Sequence, residues 1–469
     1  DPNNPFLMTS SHISVNKSEF RLVDENKENP LIVGLENLHI EADSFQILGP
    51  KVTVGVDQLD FTTKKGVVVN RLQTDFSYTK TAMRLDSLSI ETPESYIKGN
   101  VVFDYKIEDF KDFLNEVNLT GNFEESTVAL DEINLYFDEF GSGKKVELST
   151  DFEGVLNKLA MNNLKMTSGN TLIDGDFVFN NLFEKAKPFS IDAHINNVSS
   201  NYYQLTNLLP GILGKTLPSS FSKFGQLSVF GSMRITEQSV YAKVNLISDI
   251  GKGYSDLTLT NIDNIDNASY KGLLSLQDFD MGIFLEDESL GLTNLDVNVD
   301  GQGFKQESLN TEIIGEIFSV NYNGYEYKNL KVSGILKDQL FDGSVTSKDQ
   351  NFDVAFKGLA DLSGTTNEFK FVASVNNIDL NRLNFVSRDS ISVFKGNIVA
   401  DMSGNSLYDL AGEISFYKTN YTNQNDSYYF DDFTVTSEFK EEERIITVNS
   451  PDIITGSLKG KYRVRGLGN

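Results

Sequence analysis

Apolar and polar residues alternate one for one along most of this chain. From Phe352 to Val375 it reads FDVAFKGLADLSGTTNEFKFVASV. Phe352, Val354 and Phe356 are separated by polar or small residues. After Gly364 the pattern resumes with Phe369, Phe371, Ala373 and Val375, broken only by Val372. A period of two marks strands with one apolar and one wet face. The same alternation recurs at Val146–Phe152, Val240–Leu246, Leu295–Val299 and Phe433–Phe439. Turn-forming stretches such as DLSGTTNE and DNIDNAS punctuate the runs. The pattern predicts about 25 to 30 strands. Helical spacing is confined to Ile107–Val117, Tyr202–Gly214 and Leu380–Val386, all too short to cover a large sheet. The expected architecture is therefore all-β.

A loose repeat runs through the middle of the chain. INNVSSNYYQLTNLL, LQDFDMGIFLEDESL and VNNIDLNRLNFV each end a strand on Asn or Asp and enter a short apolar turn. A later strand in each unit closes on glycine: Gly231, Gly301 and Gly404. No proline-rich or Gly/Ser linker divides the chain, so residues 1–469 read as one elongated β region. The charged stretch Asp24–Pro30 reads as a solvated hairpin tip. The opening on Asp1-Pro2 and the stop after Asn469 read as those of a segment of something longer.

Composition narrows the functional classes. The 469 residues are 39% hydrophobic and 23% charged, which suits a folded chain. The net charge of −26 opposes binding to nucleic acid, and also charge-driven docking on anionic headgroups. It raises no objection to an apolar ligand. With no cysteine, disulfides, thiol nucleophiles and Cys-ligated metals are excluded.

Candidate chemistry is sparse. His12, His39 and His194 lie far apart in sequence, and the metalloprotease, nucleophile-elbow and phosphate-loop patterns are all missing. GQGFKQ, starting at Gly301, follows a strand but opens no helix, so it reads as a turn. Asp431-Asp432 and the faintly calcium-loop-like DVNVDGQG (296–303) read more simply as solvated strand faces and turns. The expectation is a protein without catalytic residues, cofactor or metal.

The apolar faces need a purpose. Phe and Tyr, 34 and 18 in number, could interlock as the core between two sheets. A long meander, however, makes a single ribbon with nothing to cover its apolar side. Full closure gives a barrel; partial curling gives a trough with an apolar floor. On the trough reading the floor is lined by Leu148, Phe152, Val244, Leu246, Leu257, Leu259, Leu295, Val297, Val299, Val332, Val354, Phe356, Phe369 and Phe371.

Leu330–Val386, with FDGSVTSKD, FKGLADLSG and VNNIDLNRL, resembles the translocation-and-assembly-module B (TamB) family, a branch of the AsmA-like proteins. So do GNFEESTVALDEINLYF (121–137) and the closing NSPDIITGSLKGKYRV, which are nearest its Bacteroidetes-type members. The resemblance implies a curled antiparallel sheet, taco-like, around a hydrophobic groove. It implies a periplasmic location in a diderm bacterium and an inner-membrane anchor outside this segment. The implied partners are phospholipid and an outer-membrane barrel of the BamA/TamA class. Two other readings stay open: a scaffold for assembly of outer-membrane barrel proteins, and a secreted carbohydrate-active or adhesive β-protein.

Overall fold

The structure is a computed structural model that describes residues 5–23, 31–136, 139–181, 187–406, 408–440 and 443–460. The stretch Asp24–Pro30, expected as a hairpin tip, lies outside the described residues. The protein is all-β: 26 strands are found among the described residues, with a few short helical turns. The described strand pairs are antiparallel, as expected for a meander.

The chain forms two compact units. One comprises residues 1–217 and 224–246, the other residues 218–223 and 247–469. The first contains β1 (Leu7–Val23), β2 (Leu31–Leu48), β3 (Lys51–Thr63), β4 (Val68–Tyr78), β5 (Ala82–Glu91) and β6 (Tyr96–Asp104). It continues with β7 (Asn118–Ala129), β8 (Lys145–Val155), β9 (Lys158–Ser168), β10 (Thr171–Asn180), β11 (Ser190–Asn201), β12 (Gln226–Thr236) and most of β13 (Ser239–Ser248). The second contains β14 (Gly251–Thr260), β15 (Ser269–Asp280), β16 (Leu290–Gln302), β17 (Asn310–Tyr322), β18 (Tyr325–Lys337), β19 (Leu340–Lys348) and β20 (Phe352–Asp361). It ends with β21 (Glu368–Asp379), β22 (Ser392–Ser403), β23 (Ala411–Asn423), β24 (Ser427–Lys440), β25 (Glu443–Ser450) and β26 (Ile454–Gly460). From β1 to β12, and again from β14 to β26, each strand pairs with its neighbours in sequence.

Bulges bend these strands. The register slips at Leu85/Leu88 in β5, at Leu164/Met161 in β9 and at Leu276/Phe279 in β15. At each slip one residue takes positive φ: Ser87 (53°), Asn163 (52°) and Asp278 (47°). Left-handed backbone costs a non-glycine residue about 1–2 kcal/mol. The bulge also takes the residue's N–H out of the ladder. In all three cases a side chain on the next strand accepts that N–H: Asn100 Oδ1 (2.9 Å), Asp176 Oδ1 (2.8 Å) and Asn294 Oδ1 (2.8 Å). On the buried side, hydroxyls meet backbone carbonyls beside the bulges, as Thr74 Oγ1 does with Asp86 O and Thr150 Oγ1 with Asn162 O. Each bulge bends its strand and raises the local twist, which curves the sheet where bulges occur.

The repeat has a structural counterpart. Asn201 ends β11 and accepts from Gln204 N (2.9 Å), opening the helical turn Tyr202–Leu208. Asp280 ends β15 and accepts from Ile283 N (3.0 Å), opening Met281–Leu285. Asp379 ends β21 and accepts from Asn381 N and Arg382 N, both at 3.1 Å.

Two helical expectations hold in shortened form. Residues 107–117 become a 3₁₀ turn (Ile107–Asp112) followed by Phe113–Glu116, and 202–214 become Tyr202–Leu208 and a separate turn at Leu213–Thr216. The third does not: Leu380–Val386 is a set of tight turns. There the Asp379 side chain takes the amides that a helix would leave open, and Asn384 adopts φ 64°, while Leu383 is fully buried.

Candidate functional site

In the second unit, register carries the side chains of one face into four adjacent transverse rows. The first is Gly253, Leu276, Leu295, Ile317, Leu330, Ser347, Val354, Val375 and Gly396. Two residues along each strand, the second runs Ser255, Leu274, Val297, Gly315, Val332, Val345, Phe356, Ala373, Ile398, Phe416 and Phe433. The third is Leu257, Gly272, Val299, Ile313, Gly334, Gly343, Gly358, Phe371, Ala400, Ile414, Val435, Val448 and Gly456. The fourth is Leu259, Tyr270, Gly301, Thr311, Leu336, Phe341, Ala360, Phe369, Met402, Gly412, Ser437, Ile446 and Leu458. No Asp, Glu, Lys or Arg stands in any of these rows. The first row crosses nine strands, the second eleven, and the third and fourth thirteen; at about 4.8 Å per strand the charge-free lane is on the order of 60 Å at its longest.

The opposite face carries the charge. Lys271 pairs directly across the strands with Asp300 (2.6 Å), Lys331 with Glu316 (3.0 Å) and Lys370 with Asp401 (3.1 Å). These exposed pairs add little stability; their placement keeps that face wet.

Ten of the fourteen predicted lining residues fall in the four rows. Leu295 and Val354 lie in the first; Val297, Val332 and Phe356 in the second; Leu257, Val299 and Phe371 in the third; Leu259 and Phe369 in the fourth. The other four belong to the first unit and are not gathered into one lane. Phe152 is 6% exposed in a cluster with Leu88, Val101, Val117, Leu119 and Leu159, against which Phe113 of the helical turn packs. That stretch is a filled core. Leu148 packs against a different cluster, formed by Val128, Leu130, Val146, Ile173 and Leu208. Val244 and Leu246 are half-buried on β13.

The lane in the second unit is only partly covered. Val297 (1% exposed), Leu295 and Val354 are buried, but Phe341, Phe356, Phe369, Phe371, Phe416 and Phe433 are all half-buried. A sealed sandwich would bury such rings.

The charged groups buried in this unit, Asp349, Asp389 and Arg444, sit beyond the lane. Asp349 accepts from Tyr325 Oη (2.5 Å), Asn351 N (2.8 Å) and Lys328 N (3.2 Å). Burial first, then the bond to Asp349, pushes the Tyr325 hydroxyl up to about 12. Asp389 is held below the usual carboxylate range, chiefly by the hydrogen bond from Gln424 (3.0 Å) and then by Arg388. These carboxylates tie down turns. Arg444, 6% exposed, donates to Ser437 Oγ and Leu410 O at 2.8 Å and lies over the Phe439 ring, one step past the fourth row.

The faint catalytic candidates dissolve into the strand pattern. Residues 296–302 belong to β16, so Asp296 and Asp300 project from its polar face rather than from a loop. No group of three metal-ligating side chains occurs among the described residues. A hollow of about 340 Å³ lies at strand ends, lined by Asn267, Gln302, Glu307, Ser308, Lys337 and Asp338, and is polar. Sequence reading missed the approach of His12 and His39, which both contact Glu41 (3.1 and 3.2 Å) once β1 and β2 pair. No helix among the described residues is long and apolar enough to cross a membrane.

No family model, curated protein or solved structure matches the chain.

Proposed function

We propose that the chain holds or conducts phospholipid acyl chains along the charge-free lane. The setting proposed is the periplasm of a diderm bacterium, with the chain as one stretch of a bridge between inner and outer membranes. An anchor in the inner membrane and an outer-membrane barrel of the BamA/TamA class would be its partners. The observation that supports this most is the run of four adjacent rows without a charge whose phenyl rings stay half-buried. Each methylene moved from water onto such a surface contributes about 0.8 kcal/mol. A tail can therefore be held without a specific contact, and can slide because no single place holds it strongly. The headgroup stays in water. The opposite face, with its Lys–Asp and Lys–Glu pairs, keeps the sheet soluble.

The test is organic extraction of the purified protein with mass spectrometry, combined with a photo-crosslinking residue at Phe356 or at its opposite-face neighbour Lys357. The reading expects co-purified phospholipid and lipid adducts at position 356 but not at 357. Absence of lipid, with crosslinks instead to folding barrel proteins along a strand edge, would favour the assembly-scaffold reading.

A further inference from the structure

Three neighbouring strands place glycine at one level of the lane: Gly334, Gly343 and Gly358 are successive cross-strand partners. Side chains are impossible there without moving backbone. A methyl group on Gly334 would meet Gly343 Cα at 2.7 Å, and one on Gly358 would meet Phe371 Cα at 2.5 Å. The floor is therefore bare backbone for three strands, a slot about 10 Å long running along the lane. Val332, Val345 and Phe356 form one bank, two residues away; Leu336, Phe341 and Ala360 form the other.

Two rings close over this slot. Phe341 and Phe356 stand on opposite banks of neighbouring strands, four residues out of register, with Cα atoms about 14 Å apart. Their ring centroids are nevertheless only 6.3 Å apart, so both rings lean inward above the glycines. Phe341 Cζ would come within 3.0 Å of a methyl group on Gly343. Beneath the rings there is no side chain; Phe356 is flanked by the Phe371 ring (5.1 Å) at the end of the slot, and both Phe341 and Phe356 remain half-buried.

We propose that Phe341 and Phe356 are a two-leaf gate over a slot for a single hydrocarbon chain. This rests on the reading of the lane as an acyl-chain path. The occupant follows from the slot: the glycines and both banks offer no hydrogen-bonding side chain, and the slot is one row wide. Covering of glycines by aromatic rings also stabilises sheets, so the test needs a readout that a purely structural role would not move.

Wild type, Phe341→Ala, Phe341→Leu and Phe341→Trp are loaded with a phosphatidylcholine carrying a diazirine at the acyl terminus. Adducts are mapped by peptide. Lifting a ring off the floor re-exposes roughly 20–40 Å² of apolar surface, worth about two- to fivefold in occupancy. Phe341→Ala and Phe341→Leu should raise adducts on peptides containing Gly334, Gly343 and Gly358 by that factor, and Phe341→Trp should lower them. Adducts near Val297 should not change. Unchanged adducts at the glycines in every variant, with lipid still bound near Val297, overturn the gate while sparing the lane. A wild type that takes no lipid overturns the lane reading. The gate is then decided by fluorine NMR of 4-fluorophenylalanine at 341 and 356: exchange between two ring environments supports it, and a single static environment at both positions refutes it.

Discussion

Phe371 and Val372 are adjacent on β21 and face opposite ways, so the same substitution at each isolates the lane. Phe371 is half-buried, 5.1 Å ring to ring from Phe356, and its cross-strand partners are Gly358 and Ala400. Val372 is 50% exposed, between Lys357 and Val399. Phe371→Glu loses roughly half the burial of a phenyl side chain, about 1–1.5 kcal/mol, and sets a carboxylate against apolar neighbours at about 1–3 kcal/mol more. The expected loss of stability is about 2–4 kcal/mol. Val372→Glu puts its carboxylate opposite Lys357 and should stay within about 0.5 kcal/mol of wild type. Lipid retention should separate the two further. A hydrated carboxylate denies contact to about three or four methylenes, near 3 kcal/mol or about 100-fold in local affinity. Urea midpoints at constant m report the first effect, and extracted phospholipid per folded chain reports the second. Because apolar surroundings raise a carboxyl pKa, acidification should restore part of the lipid binding of Phe371→Glu. Equal lipid content and equal midpoints in the two variants would refute the claim that one face alone carries the ligand.

Two further outcomes test how the sheet is held in shape. Asn294→Ala removes the acceptor of the Asp278 N–H at the β15 bulge; it should cost about 1–3 kcal/mol and speed exchange of that amide, whereas Asn298→Ala on the exposed face should be near neutral. For Asp266, burial opposes ionisation, but hydrogen bonds from Ser219 N (2.7 Å) and Oγ (2.8 Å) and the Lys305 ammonium outweigh it, so the pKa is lowered from 3.8. The stabilisation is therefore complete above the unfolded value and is lost as pH falls through the folded one. Asp266→Asn should flatten that acid limb of the stability–pH curve measured by urea denaturation, and an unaltered limb would count against the assignment.

The faces of the second unit were legible because parity decides them. Within one run, every second residue shares a side, and any register slip by two leaves that side unchanged. Ten residues chosen from separate runs thus landed in four adjacent rows although no register was known. Parity fails where a residue is inserted, and the bulges insert one. In the first unit, Leu148 and Phe152 share a side of β8 with buried Thr150 between them, yet they pack into separate clusters, a division that alternation does not show. The positive-φ residues themselves, Ser87, Asn163 and Asp278, are all short and polar, but such residues also fill the turns, and their acceptors on the next strand become visible only once strands are paired.

The bulges did leave a trace in the apolar pattern, as a missed beat. Apolar positions step by three rather than two at Leu85–Leu88, Ile195–Val198, Leu276–Phe279 and Val375–Ile378, and each gap holds Asn, Asp or Ser. Each is also a register shift in the structure. Three of the four lie in the units of the loose repeat, just before the Asn or Asp that opens the turn. The stutter has a physical reason. A residue consumed by the bulge flips every later side chain to the other side, so the apolar series must skip one position to keep facing the lane beyond the bend. A strand that bends without the skip would turn its polar side inward. Bend and apolar lane are therefore written into the sequence together: where the alternation loses a beat beside Asn, Asp or Ser, the sheet folds and its apolar face stays on the inside of the fold.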